Sequence, residues 1–283
     1  MRMKWADTIT RKNSSAPPIR EASPLRILVP VDATASAFHS LEFALNLART
    51  CDACIQLLYL TDIDNLPESS NPVVVNRMLD RLERKAYNCV ESLTEMIEET
   101  GVSVHSAESI TGNVWGMLER KIELLRPGLV IIGKESFSKR LVHNLIAHAT
   151  CPVLVIPASA PSRLPSSFAL SFEKRPSPFT LGVLPQILKH TAVKLSMLTT
   201  EKYHGALKKV EHYLASKDYS INLDYTQEPL SSHTVERFLE AKSADLLCVT
   251  RKNRSFIARI FHSCKVSDMV ARLTIPVLVL KEE

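Results

Sequence analysis

The chain has 283 residues, 45% hydrophobic and 23% charged, enough for two compact domains of ordinary size, each with its own core. No apolar run approaches the roughly 18 residues that a membrane-spanning helix needs, and no apolar stretch follows the first basic residues. A membrane protein and a secreted one are therefore not expected, and the cytoplasm is the expected compartment. Of the formal charge of +5, the segment from Met1 to Pro24 carries +3, from Arg2, Lys4, Arg11, Lys12 and Arg20 against Asp7 and Glu21. The body is nearly neutral, which gives no general case for nucleic-acid binding.

Residues 1–24, basic and holding Asn13, Ser14, Ser15, Pro17 and Pro18, read as a solvated, disordered leader. Arg26–Val31 is a continuous apolar run suited to a strand buried on both faces, ending at Asp32. Apolar residues at helical spacing then predict a helix over Ser36–Arg49, with Thr34 or Ser36 as N-cap. The first half continues as a strand at Ile55–Leu60, a long amphipathic helix over Asn71–Glu99 begun near Pro72 and stopped by Gly101, and a strand at Val102–Ser109. A helix at Asn113–Leu125, a strand at Leu129–Gly133, a helix at Ser138–Ala149 and a strand at Pro152–Ile156 complete it. Strands alternating with helices imply parallel crossovers, hence a doubly wound sheet with helices on both faces.

Residues 158–167 form a Pro/Ser linker, after which the pattern restarts. Strands are expected at Phe168–Phe172, Val193–Leu198, Ile221–Tyr225, Leu246–Val249 and Val277–Leu280. Between them fall helices at Phe179–Lys189, Lys202–Ser216, Ser231–Ala241 and Ile257–Leu273. The first of these helices is the least regular, because Pro178 and Pro185 suit a first turn or a kink and not a helix middle. Thr150-Cys151-Pro152-Val153-Leu154-Val155-Ile156 returns as Thr274-Ile275-Pro276-Val277-Leu278-Val279-Leu280, so one unit is written twice. The expected fold is α/β: two tandem doubly wound, Rossmann-like domains with five-stranded parallel sheets, at 25–157 and 168–283.

Six cysteines are scattered, mostly in apolar runs, as buried reduced thiols would be. The C-x-x-C at Cys51 and Cys54 stands between the end of a helix and the start of a strand, the reverse of the order that activates a redox thiol. Cys264, beside His262 and Ser263 where a loop would turn into a helix, is a candidate reactive thiol. His143 and His148 lie five apart and do not make a metal pair, and no further ligands are spaced for one, so no metal site is expected. There is no G-x-S-x-G elbow for a Ser/His/Asp triad, and no catalytic residue is assigned.

The opening RILVPVD, the segment SLEFALNLARTCDACIQLLYL, the strand LVIIGK and the ending CPVLVIP together resemble a universal stress protein domain of the UspA type. FTLGVLPQILKHTAVKLSMLTT, ADLLCVTRK and IPVLVL are similar to a diverged second copy. In that family some members bind ATP. The Asp after strand one contacts adenine, and a loop after strand four cradles the phosphates with the pattern Gly, two residues, Gly, nine residues, then Gly with Ser or Thr. Glycine is needed there because phosphate oxygens approach backbone N–H groups closely. The resemblance places a residual nucleotide pocket at Asp32, Ala33, Gly133 and Lys134.

Both copies depart from the pattern. In the first, Ser136 stands three residues after Gly133, and the Gly-Ser pair falls at Lys139-Arg140. Leu129 to Leu246 is a step of 117 and Thr150 to Thr274 one of 124, so copy one lacks seven residues of loop. In the second, Thr250, Asn253 and Ser263-Cys264 replace the glycines, and Glu173 falls near the Asp position. Charge-assisted hydrogen bonds are worth roughly 1.5–3 kcal/mol each, so losing several moves a micromolar site beyond millimolar. Lys134, Lys139 and Arg140 could still attract phosphate by charge.

The resemblance thus implies a non-enzymatic, stress-associated regulatory or adaptor protein without a family-style ATP cofactor, acting on protein partners. Its apolar final strands, CPVLVIP and IPVLVL, are expected to pair between domains, giving an intrachain pseudo-dimer or a homodimer. The alternative is an adenine-nucleotide sensor, for ATP or AMP, that uses the first-copy pocket. An adenylyl-transferring enzyme would need a His or Gly cluster near strand one, which Ala33-Thr34-Ala35-Ser36 does not offer.

Overall fold

The computed structural model describes residues 24–63, 71–172, 177, 181–188, 194–200, 204–228, 230–251 and 265–282. The expected leader, apart from Pro24, lies outside them, as do Glu173, Asn253, His262 and Cys264.

The first half runs β1 (Arg26–Val31), α1 (Ala35–Cys51), β2 (Cys54–Asp62), α2 (Pro72–Glu99), β3 (Val104–Gly112), α3 (Val114–Leu125), β4 (Leu129–Gly133), α4 (Lys139–His148) and β5 (Val153–Ile156). The second runs β6 (Ser167–Ser171), α5 (Val183–Leu188), β7 (Lys194–Thr200), α6 (His204–Ala215), β8 (Ile221–Thr226), α7 (Ser232–Lys242), β9 (Leu246–Arg251), α8 (Lys265–Arg272) and β10 (Val277–Lys281). Local chemistry sets the boundaries. Thr34, not Ser36, caps α1 by accepting the Ala37 N–H, and Asp52 ends it in the left-handed region at φ 53°. Asn71 caps α2 ahead of Pro72, and Gly101 takes φ 79° just beyond its end. Of the expected helix at Phe179–Lys189, the described residues hold α5 over Val183–Leu188, with Gly182 in a turn just before it. This places Pro185 in the first turn, where its missing N–H costs nothing.

The strands form one sheet in the order β3-β2-β1-β4-β5-β10-β9-β6-β7-β8. Each half has its own strands in the same doubly wound order, parallel throughout, and the halves meet through the single antiparallel contact of β5 with β10. Leu154 faces Leu278, with Val153 facing Val279 and Val155 facing Val277. Leu278 is the repeat mate of Leu154, so a pseudo-two-fold axis passes through that pair. The apolar final strands do pair, within the chain, which makes an intrachain pseudo-dimer and uses up both of those edges.

Helices cover both faces of the sheet. On one, Ile27, Val29 and Val31 pack with residues of α1, α2, α5 and α6; on the other, Leu28, Val130 and Ile132 pack with α3, α4, α7 and α8. Both layers run through both halves. The linker lies along α1, where Asn46 donates to the Ser162 carbonyl at 3.0 Å and the Ser162 hydroxyl donates to Glu42 at 2.9 Å. β6 begins at Ser167, inside the predicted linker, because the Asp245 carboxylate accepts both the Ser166 and Ser167 N–H groups.

Candidate functional site

In a doubly wound sheet the ligand crevice lies where the strand order reverses, here between β1 and β4 at their C-terminal ends. β1 pairs with β2 along all six residues but with β4 only at Ile27 and Leu28. Pro30 follows and has no N–H to give, so the two strands part beyond it. Asp32 stands at the end of one strand and Gly133 at the end of the other.

Asp32 folds back on its own turn. Its Oδ1 accepts the Thr34 N–H at 2.9 Å and the Thr34 hydroxyl, fixing the residue that caps α1. Burial raises its carboxyl above the ordinary value, and the hydrogen bonds from Thr34 act against that rise. Beside this turn is a cavity of about 210 Å³ lined by Ala33, Tyr59, Thr61, Asp62, Leu82 and Lys85. Burial pushes the Tyr59 hydroxyl up to about 12, helped by the Cys89 thiol and the Asp32 carboxylate.

The turn after β4 is closed by its own side chains. A Cβ at Gly133 would stand 2.0 Å from Ser136 Oγ, 2.6 Å from the Ser36 carbonyl oxygen and 2.7 Å from Ser36 Oγ. Gly133 is thus required by protein atoms already in place around it. Ser136 is 3% exposed and its hydroxyl has no hydrogen-bond partner among the described residues. Glu135 Oε2 accepts the Ser36 hydroxyl at 3.3 Å and the Ala158 N–H at 2.9 Å, tying the turn to the first turn of α1 and to the start of the linker.

Lys134 points elsewhere. Its ammonium donates to the Leu273 carbonyl at 2.9 Å, at the end of α8 in the other half. Asp32 and Ala33, just beyond β1, and Gly133, at the end of β4, therefore border the crevice, with Ser36 packed on Gly133, while the Lys134 side chain reaches across the pseudo-axis. Lys139 and Arg140 are exposed in the first turn of α4. Arg140 lines a separate cavity of about 170 Å³ with Asp62, Asn113, Trp115, Ser138 and Asn144.

The second half has a different arrangement. Thr250, at the position of Gly133, is buried and donates to Glu282 at 3.3 Å. Arg251, the repeat mate of Lys134, is 5% exposed and donates to the carbonyls of Ala147, at 2.6 Å, and Ala149. Sequence reasoning missed Arg251, Ser36 and Glu135. Carrying Lys134 forward by the repeat step of 117 lands on Arg251, which was the available signal.

Of the described thiols, Cys54, Cys151 and Cys248 are buried as expected, while Cys51 and Cys89 are partly buried. Cys51 ends α1 and Cys54 opens β2; burial raises the Cys54 thiol, with Arg26 acting the other way. Burial also pushes Cys151 up to about 12 and Cys248 well up. Among the described residues, no group of three or more His, Cys, Asp or Glu could hold a metal ion, and no helix is long and apolar enough to cross a membrane.

A Rossmann-like α/β chain with a crevice at its strand-order reversal, written twice about a pseudo-axis, defines the class. Residues 25–157, a little under half of the chain, match the universal stress protein family. A universal stress protein of Methanocaldococcus jannaschii is 23% identical over 141 residues, covering 46% of this chain and 81% of that protein. The solved universal stress protein of Archaeoglobus fulgidus has the same fold at a TM-score of 0.71 and 14% identity, covering 91% of this chain and 96% of that one. A structure from Pseudomonas aeruginosa overlays at 0.59 and 14% identity, covering 92% of this chain and 94% of that one.

Proposed function

We propose that this protein is a non-enzymatic regulatory or adaptor protein of the universal stress type, working through protein partners in the cytoplasm and without phosphate-dependent ATP binding. One observation carries the reading: the first-half turn that would hold phosphates is filled from within. Ser136 and Ser36 occupy the space over Gly133, Glu135 sets a carboxylate against α1, and the Lys134 ammonium is bonded to Leu273. A triphosphate would meet a fixed negative charge where it needs N–H donors, and would have to break the contacts that close the turn. Titration calorimetry of the full chain with ATP, ADP and AMP tests this. The expected result is no heat of binding at micromolar concentrations; micromolar affinity that weakens from ATP to AMP would overturn it.

The second reading is an adenine-nucleotide sensor in the first half. The cavity beside Asp32, lined by Ala33 and Tyr59, favours it, since its position next to the strand-order reversal is where a base could enter without reaching the filled turn. Mass spectrometry of ligand released from protein purified from cells separates the two: an adenine nucleotide at one per chain supports the sensor.

A further inference from the structure

The outward face of α2 carries a ladder of charge that changes sign at its middle. Arg77, Arg81 and Arg84, then Asn88, then Glu91, Glu95 and Glu98 follow at alternating steps of four and three, which sets them along one stripe of the helix. All are exposed, and the buried residues Ala86, Leu93 and Ile97 mark the opposite face, against the sheet. For a lone helix this order is unfavourable twice over. Like charges stand four apart at Arg77 and Arg81 and again at Glu91 and Glu95, and exposed Asp80, three after Arg77 and four before Arg84, offsets the arginines only in part. The cations also crowd the N-terminal half and the anions the C-terminal end, against the macrodipole, and the last turn holds no basic residue. None of the six charged residues forms an ion pair with another described residue.

We propose that α2 pairs antiparallel with α2 of a second copy of this chain. With the two-fold axis at Asn88, Arg77 faces Glu98 of the second copy, Arg81 its Glu95 and Arg84 its Glu91, and the axis repeats all three. Every charge on the stripe then meets its opposite, and each helix end meets the sign its dipole favours. Parallel pairing would stack like on like, so the ladder fixes the direction as well as the partner. Asn88 meets its own copy, and an amide, both donor and acceptor, suits a residue that must bond itself.

Apolar surface lies beside the ladder. Among the described residues the exposed large hydrophobics are few, and Val73, Val74, Tyr87 and Met96, exposed by 58%, 44%, 64% and 40%, are all on α2. The equivalent helix of the second half, α6, spans 12 residues against 28 and has no such ladder. This face is also separate from β5 and β10, which are paired with each other inside the chain. A single pair of helices held by exposed charges is a small interface, so the dimer is reversible and salt-sensitive.

Sedimentation equilibrium of the full chain tests the proposal. At low salt and about 100 μM the mass is expected to rise above the 31.6 kDa of one chain towards twice that, and to fall back at about 0.5 M salt, where the Debye length is under about 5 Å. Replacing all three arginines (Arg77→Glu, Arg81→Glu, Arg84→Glu) makes the stripe wholly acidic; replacing all three glutamates (Glu91→Arg, Glu95→Arg, Glu98→Arg) makes it wholly basic. Each variant alone is expected to be monomeric at low salt, and an equimolar mixture to associate as a heterodimer, an outcome misfolded chains would not give. The proposal is overturned by a wild-type chain that stays monomeric, by a dimer that survives either reversal, or by a mixture that fails to associate.

Discussion

Lys134 and Arg251 make the same reach across the centre of the molecule in opposite directions. The Lys134 ammonium bonds the Leu273 carbonyl, and the Arg251 guanidinium bonds the carbonyls of Ala149 and Ala147. The two cations are separated by the same 117 positions as Leu129 and Leu246, and Ala149 and Leu273 by the same 124 as Thr150 and Thr274. Each cation therefore sits on carbonyls at the end of the other half's last helix, where the macrodipole favours positive charge. The halves are joined by this exchange as well as by the β5–β10 ladder.

Arg251→Met is expected to lower the unfolding free energy by about 2–4 kcal/mol, because two carbonyls lose a charged donor in a buried place. Lys134→Met, with one bond and partial exposure, is expected to cost about 1 kcal/mol. Urea unfolding followed by circular dichroism measures both. An Arg251→Met variant as stable as the wild type would show that the exchange does not hold the halves together.

The Asp32 carboxyl lies above its ordinary value of 3.8 because burial disfavours the charged form. The folded chain thus keeps this proton to higher pH than the unfolded chain. Its favourable contribution is present below the ordinary value and lost as pH rises through the raised one. An asparagine at this position would not titrate and could still accept from Thr34. Asp32→Asn is therefore expected to gain stability relative to the wild type as pH rises from the ordinary carboxyl value of 3.8 through the raised one, and to hold that gain above it. Urea midpoints at matched pH values provide the check, and a difference that stays flat or reverses across that window counts against the buried-carboxyl account.

The fold was legible because its signals are local and repeated. β1 and β4 run over the apolar residues that predict them, and α2 is bracketed by Pro72 and Gly101, which act through their own backbones. α5 begins at Val183, after a turn at Gly182, so that Pro185 falls in its first turn. At the candidate site, the resemblance marks Asp32 and Gly133, and the sheet places them at the ends of adjacent strands. The filling of the turn was not legible. Ser36 and Glu135 are 99 residues apart in sequence, and nothing in a Ser beside an N-cap or a Glu in a turn announces the other. Lys134 suggests a phosphate ligand because a basic residue after a glycine suits that role, whereas its partner is a main-chain carbonyl, which leaves no trace in the side-chain pattern.

Gly133 and Ser136 make a coupled pair. Gly133→Ala would press a methyl group against Ser136 Oγ and the Ser36 carbonyl, and overpacking of this kind costs about 1–3 kcal/mol. Ser136→Ala removes a buried hydroxyl without a partner among the described residues, so alone it is expected to be neutral or slightly stabilising. Combined, the two should cost less than Gly133→Ala alone, because the nearest clash is gone while the Ser36 carbonyl remains. A double-mutant cycle from denaturant curves measures this, and strict additivity would place the strain elsewhere.

Thiol reactivity should divide the described cysteines by depth. Cys151 and Cys248 lie in the apolar layer that covers or forms the sheet, and burial raises both thiols, Cys151 to about 12. Little thiolate exists there at neutral pH, and reagent cannot reach it without opening of the fold. Cys51 and Cys89 are half-buried, and Cys89 lines an open groove with Phe38 and Lys85. Alkylation of the native chain, with sites read by peptide mass spectrometry, should therefore label Cys89 and Cys51 first, leaving Cys151 and Cys248 until denaturant is added. Labelling of Cys151 in the native chain at the rate of Cys89 would mean that the starts of β4 and β5 open together, beside the Arg251 contact and at the opposite end of these strands from Gly133.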